Sequence, residues 1–282
     1  MPYVAVSVLS HSGLLREGNE DSLVVGPWTL CTTVTENPQT QVFPLGMPLV
    51  VAVTDGLGGH PGGAMASAMA VRRIASIGPV LSSQDAVRDA LNACNRAVCE
   101  AAGGLGSELS TTGTTVAGVV VQPGSLPVLN VGDSRVFAAS RGGLRQMSVD
   151  DSPPLDPGER TTPLITLCLG GTPVCRPIRP HVTATPVASG DRYLIFTDGL
   201  TDLLTTDVLD EVMGEGSTRT AGRLLSCGRP PSRRAGPRTS RWRSYASETT
   251  RGRPGSSAGS RCPGPMGGDR FLRARCAGTG GA

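Results

Sequence analysis

Pro48-Leu49-Val50-Val51-Ala52-Val53-Thr54 leads directly into Asp55-Gly56-Leu57-Gly58-Gly59-His60. The first seven residues form a β-branched run that stops at the Asp-Gly pair, so they read as a strand, and a central one. From Gly62 to Ile77, small and apolar residues recur at helical spacing. A central strand, an acidic glycine-rich turn and a small-residue helix therefore follow one another, and the rest of the chain can be read outward from them.

Upstream, Val4 to Leu9 alternates as a strand. Downstream, Ser83 to Ala101 has the spacing of an amphipathic helix, with Ser83 placed as its N-cap. Thr115 to Val121, Pro127 to Val131, Arg135 to Ala139 and Leu144 to Ser148 are short apolar runs separated by Pro-Gly, Gly-Asp and Gly-Gly signals, which predicts an antiparallel meander. Arg192 to Thr197 reads as a strand ending at Asp198-Gly199, and Thr205 to Met213 as a short helix. Strands arriving in hairpins, with helices set between them, predict an α+β domain.

Composition narrows the function classes. All 26 basic residues of the 282-residue chain are Arg, and the net charge is +3. That balance hides an acidic stretch up to residue 227 and an Arg-, Gly- and Pro-rich stretch from 228 to 282, which has no apolar periodicity and is expected to be disordered. The eight cysteines include no C-x-x-C pair, so neither a zinc ribbon nor a thioredoxin-type site is indicated, and free thiols in a reducing cytoplasm are the simplest reading. No run of 18 or more apolar residues occurs and the first residues do not read as a leader, so no membrane role is expected. The Arg-rich stretch lacks Lys, aromatic interleaving and any recognisable module, which sets nucleic acid aside as a partner.

Chemistry concentrates in four acidic turns: Arg16-Glu17-Gly18-Asn19-Glu20-Asp21, Asp55-Gly56, Gly132-Asp133-Ser134-Arg135 and Thr197-Asp198-Gly199-Leu200. Any one Asp-Gly pair is most simply a turn. Carboxylates at strand ends beside glycines also suit hard divalent cations, which take oxygen ligands from carboxylates and from backbone carbonyls that glycine leaves accessible.

In order, RxxNED, DGxGGH, GTT, GDSR and TDGL resemble the signatures of the bacterial PPM-type (protein phosphatase 2C-like) metal-dependent serine/threonine phosphatases, and they lie at Arg16 to Asp21, Asp55 to His60, Gly113 to Thr115, Gly132 to Arg135 and Thr197 to Leu200. The resemblance implies a β-sandwich of two antiparallel sheets with helices outside and a site for two Mn²⁺ or Mg²⁺ ions, with a third, weaker one in bacterial members. It implies that Asp55 bridges the metals, that Gly56 supplies a backbone carbonyl, that Asp198 ligates the first metal, and that Glu20 and Asp21 are the acidic pair beside the second. Asp133, with Asp198, matches the third-metal carboxylate. Arg16 matches the arginine that grips the substrate phosphate. Metals so placed activate a water for attack on phosphoserine or phosphothreonine of phosphoprotein substrates, opposing a cognate serine/threonine kinase. Catalysis would then rest on Arg16, Asp55 and Asp198. His60 reads equally as a structural residue or a proton donor, and His11 and His181 as surface or strand residues. The stretch between Asp150-Asp151-Ser152 and Leu167-Cys168-Leu169-Gly170-Gly171 is where such enzymes carry a flap, here short and proline-containing.

The family pattern closes with a glycine turn, an acidic ligand and a valine-rich strand, and no such stretch follows residue 227. The expectation is a catalytic domain over 1–227 with its C-terminal strand missing and a tail over 228–282. Re-read one base out of frame from about Pro230, with G or C at third codon positions, the tail acquires a glycine turn and a valine-rich strand, so it reads as out of frame. A catalytically impaired pseudophosphatase that binds phosphoproteins is the alternative.

Overall fold

The computed structural model describes residues 2–12, 18–57, 61–104, 111–140, 143–154, 162, 164–214 and 271–277. The chain opens with strands β1 (Tyr3–Leu9), β2 (Ser22–Val25), β3 (Trp28–Cys31), β4 (Gln39–Pro44), β5 (Leu49–Thr54) and β6 (Gly56–Leu57). Helices α1 (Pro61–Ile77) and α2 (Gln84–Gly104) follow, then β7 (Gly113–Thr114), β8 (Val116–Val121), β9 (Leu126–Val131), β10 (Arg135–Ser140) and β11 (Gly143–Gln146). β12 (Leu169–Gly170), β13 (His181–Thr185), β14 (Arg192–Phe196), α3 (Gly199–Leu203), α4 (Thr206–Gly214) and β15 (Phe271–Ala277) complete the order.

Two six-stranded antiparallel sheets, β11-β10-β14-β15-β1-β4 and β13-β9-β8-β5-β2-β3, form the sandwich, and a small β12-β7-β6 sheet lies beside them. Within β5, Val51 and Val53 pack with Val4, Val6, Val119 and Ile195 between the sheets, while Val50 and Ala52 pack on the other face with Ala70, Val71, Ile74 and Leu91 of the helices. Burial on both faces is why that strand is apolar without alternation. Leu200, Leu209 and Met213 of α3 and α4 cover the other sheet through Leu194 and Phe196. The result is four layers, helix, sheet, sheet and helix, as the resemblance implied.

The Ser83 hydroxyl accepts the Ala86 N–H at 3.1 Å, so the expected N-cap of α2 is in place. Along α2, Arg88, Asn92 and Asn95 form a polar stripe that binds the backbone of the 170–182 segment. Arg88 donates to the Val182 carbonyl at 2.9 Å, Asn92 accepts the Ile178 N–H at 2.9 Å, and Asn95 accepts the Gly170 N–H at 2.9 Å and donates to the Arg176 carbonyl at 2.8 Å. A segment with little regular structure of its own is thereby fixed to a rigid helix.

The structure differs from the expectations in two respects. The runs from Thr115 to Ser148 are not one meander: β8 and β9 pair in one sheet, while β10 and β11 pair in the other. The chain changes sheets at Gly132-Asp133-Ser134, where Gly132 has φ +100°, a conformation glycine adopts without strain. The sheet position expected to lack its C-terminal strand is also filled. β15, with the sequence FLRARCA, lies antiparallel to both β1 and β14. It is not valine-rich, which is why the sequence did not single it out. The remainder of the tail over 228–282 lies outside the described residues.

Candidate metal centre

The acidic turns converge because their strands do. Asp55 follows β5, Asp133 follows β9, Asp198 follows β14, and Asp21 immediately precedes β2. Registers Ser22↔Thr54, Val53↔Ala117, Val116↔Val131 and Arg135↔Phe196 bring those ends to one edge of the sandwich. Arg16, Gly58, Gly59 and His60 lie outside the described residues.

The Asp55 backbone is held by the Gly113-Thr114-Thr115 segment. Its N–H donates to Thr115 Oγ1 at 3.0 Å, and its carbonyl accepts the Thr115 N–H at 2.9 Å and the Thr114 hydroxyl at 2.7 Å. Gly56 sits where nothing larger fits, since a Cβ there would come within 2.3 Å of the Gly63 carbonyl oxygen and 2.8 Å of that of Glu20. The glycine thus permits close packing of the Asp55 turn, the Glu20 backbone and the start of α1. Ser67 of α1 donates its hydroxyl to the Glu20 carbonyl, which fixes the acidic pair from the helix side. Asp21 Oδ2 accepts the Thr197 hydroxyl at 2.8 Å, which places Asp21 against the Thr197-Asp198 turn.

Asp133 is tied to the same network. Thr115 Oγ1, which holds Asp55, also hydrogen-bonds Ser134 Oγ at 2.7 Å, and Asn130 donates to the Ser134 carbonyl at 2.7 Å. Asp55 and Asp133 are therefore separated by a bridge of two buried hydroxyls. Arg135 is paired with Asp150, whose Oδ2 accepts from Nε at 2.7 Å and lies 2.6 Å from Nη2. Burial, the Asp198 carboxylate and then the Asp150 carboxylate push the Asp133 carboxyl up to about 7. Its Oδ1 is buried and has no hydrogen-bond partner among the described residues.

These features fit a divalent cation. A carboxylate crowded by like charges, with an oxygen that meets no donor among the described residues, would be relieved by a positive ion, and oxygen ligands are what Mg²⁺ and Mn²⁺ take. Among the described residues no three His, Cys, Asp or Glu side chains stand in ready ligating geometry; the acidic turns are brought to one edge without closing into a cage. Beside Asp133 and Asp198 opens a cleft of about 210 Å³, also lined by Arg135, Asp150, Ser152, Pro153, Pro154 and Thr201.

Glu20, Asp21, Asp55, Gly56, Asp133 and Asp198 thus lie toward one edge of the sandwich. Residues that the sequence reading passed over also belong to it. Thr115 and Ser134 are the hydroxyl bridge, and their places in GTT and GDSR were the available signal. Asp150 and Asp151 stood only as a boundary of the flap, and His181 only as a strand or surface residue. His181 does open strand β13, and its Nε2 also meets Asp151 Oδ1 at 2.8 Å, a contact across 30 positions that local pattern does not reveal.

Known proteins resemble this chain in sequence and in fold. Residues 44–224 match the protein phosphatase 2C family. The serine/threonine protein phosphatase PstP of Mycobacterium tuberculosis is 29% identical over 223 residues, covering 72% of this chain and 38% of the relative, so the chain spans well under half of that protein's length. The serine/threonine phosphatase stp of Listeria monocytogenes is 26% identical over 217 residues, 71% of this chain and 79% of the relative. Among solved structures, the S. agalactiae serine/threonine phosphatase matches with a TM-score of 0.68 at 19% identity, covering 96% of this chain and 99% of that one. The catalytic domain of PstP in complex with two manganese ions matches with a TM-score of 0.63 at 21% identity, covering 98% and 100%. Such structural likeness carries the fold, and the family match covers more than half of the chain: it belongs to the protein phosphatase 2C family.

Proposed function

We propose that this chain is a metal-dependent protein serine/threonine phosphatase whose catalytic domain is built from residues within 1–227 together with strand β15, which fills its sheet between β1 and β14. Asp55, the Gly56 carbonyl, Asp198, Glu20 and Asp21 would hold two Mn²⁺ or Mg²⁺ ions, and Asp133 with Asp198 a third. The observation that carries this reading is the crowded Asp133 carboxyl beside Asp198, with its buried Oδ1 facing no donor among the described residues, at an edge where the other acidic turns also end. When bound, such ions supply an activated water and neutralise charge on the transferring phosphoryl group. Arg16 is assigned the phosphate, because its planar fork can donate two parallel hydrogen bonds to phosphate oxygens. The cleft beside Asp133 has room for a phosphorylated side chain, with Ser152, Pro153 and Pro154 along its wall.

The substrates on this reading are phosphoproteins made by a cognate serine/threonine kinase. We assign the protein to the cytoplasm, where thiols such as those of Cys31, Cys94, Cys99, Cys168 and Cys175 remain unpaired. Among the described residues no helix is long and apolar enough to cross a membrane.

The test is release of phosphate from phosphoserine, phosphothreonine and phosphotyrosine peptides with Mn²⁺ or with a chelator. Metal-dependent turnover of the first two is expected. Binding of the peptides without turnover would turn the reading to a pseudophosphatase, and neither binding nor turnover would remove it.

A further inference from the structure

The turn that carries Asp133 is also held by a pair outside the proposed metal and phosphate ligands. Asp151 grips Gly132 at both backbone groups: its own N–H donates to the Gly132 carbonyl at 2.9 Å, and its Oδ2 accepts the Gly132 N–H at 2.9 Å. Its second oxygen, Oδ1, meets His181 Nε2 at 2.8 Å. His181 opens the edge strand β13, directly opposite Asn130 of β9, and Asn130 holds the Ser134 carbonyl. One register position in this sheet therefore reaches the residue before Asp133 and the residue after it.

Behind His181 the support continues into α2, through Arg88 to the Val182 carbonyl and through Asn92 to Ile178. Solvent-exposed ion pairs contribute little. Here the Asp151 side chain is only 12% exposed, and both its oxygens are committed. Removing its partner would leave a mostly buried carboxylate gripping Gly132 with one side unsupported, free to turn or to draw in water.

We propose that His181 and Asp151 are positioning residues: they fix the Gly132-Asp133 turn so that the Asp133 carboxylate stands beside Asp198, and so set how tightly a divalent cation is held there. The inference rests on the reading of Asp133 as a cation ligand. Neither residue is a ligand itself. Groups that orient metal ligands typically change metal affinity on the order of tenfold to a hundredfold when removed.

The experiment is Mn²⁺ titration of the full chain by calorimetry and by the electron paramagnetic resonance of the free ion, with a thermal melt of each variant. His181→Ala and Asp151→Ala are expected to weaken the weakest Mn²⁺ about tenfold to a hundredfold and to leave the tighter ions unchanged. His181→Gln, whose side-chain amide can still donate to Asp151, is expected to stay within about threefold of wild type, well inside that range. His181 is 38% exposed on an edge strand, so its replacement leaves the core intact. Should an alanine variant fail to fold, His181→Leu, which keeps the volume without a donor, carries the same expectation. A wild-type isotherm for the variants lacking the donor, or equal damage from Gln and Ala, overturns the proposal. Wild-type protein that binds no Mn²⁺ would instead remove the phosphatase reading itself.

Discussion

Thr115→Val tests whether the two hydroxyls between Asp55 and Asp133 hold the site together. Valine matches threonine in shape, so no cavity opens, but the hydroxyl that serves both turns is gone. Two groups then lose a partner in the interior: the Asp55 N–H, bonded at 3.0 Å, and Ser134 Oγ, bonded at 2.7 Å. Thr115 and Ser134 are fully buried, so water cannot replace the bond without a rearrangement. An unsatisfied buried group costs roughly 1–3 kcal/mol, and the serine hydroxyl can rotate in search of another acceptor, which leaves about 2–4 kcal/mol in total. For a domain of this size that corresponds to a fall in Tm of roughly 4–16 °C. Differential scanning calorimetry in the presence of a chelator reads the structural effect alone, and the same scan with Mn²⁺ reads how much stabilisation by metal is lost with it. Thr115→Ser keeps the hydroxyl and should lie well above the valine variant. A valine variant melting within about 2 °C of wild type, less than 1 kcal/mol would produce, or below a serine variant by no measurable margin, would refute the bridge.

Asp55→Ala should lower the proposed phosphatase activity by at least about a hundredfold, the usual cost of losing a stabilising charge at a reacting centre, while the metal-free Tm holds or rises because one buried carboxylate leaves a crowded group; residual turnover above a tenth of wild type would contradict the proposed bridging role. The Asp133 carboxyl ionises near 3.8 when unfolded and near 7 when folded, so its contribution to stability is fully present below about pH 4 and is lost as pH rises through 7. Metal-free protein should therefore lose up to a few kcal/mol between pH 5 and 8 from this group, and Asp133→Asn should flatten that dependence in chelator-treated melts. An unchanged slope in the asparagine variant would mean that Asp133 is not the group responsible. Arg16→Lys should lower kcat/KM for phosphopeptides while leaving Mn²⁺ affinity unchanged, because a point charge cannot reproduce the bidentate fork; identical kinetics would make Arg16 a surface residue.

Local pattern was enough to place much of the fold. The unbroken apolar run of β5, the helical spacing of α1 and α2 and the turn signals around β8 to β11 are properties of a few neighbouring residues, and each element formed close to where it was expected. Weakly patterned strands escaped notice: β2 and β3 have four residues each, β4 is QTQVFP, and β13 is HVTAT. Their strand character comes from pairing with neighbours distant in sequence rather than from their own periodicity.

The candidate site divides in the same way. Asp55, Asp133 and Asp198 could be picked out because each ends an apolar strand in a glycine turn, a signature written in adjacent residues. That they meet depends on antiparallel registers such as Ser22↔Thr54 and Val116↔Val131, which no single strand encodes. The switch of sheets at Gly132 was invisible for the same reason, since a turn signal does not say which sheet the next strand will join. Tertiary structure alone decided that His181 faces Asp151: the contact exists because β13 seats on β9 with His181 opposite Asn130, and that seating is held by hydrogen bonds from α2, a helix formed some eighty residues earlier.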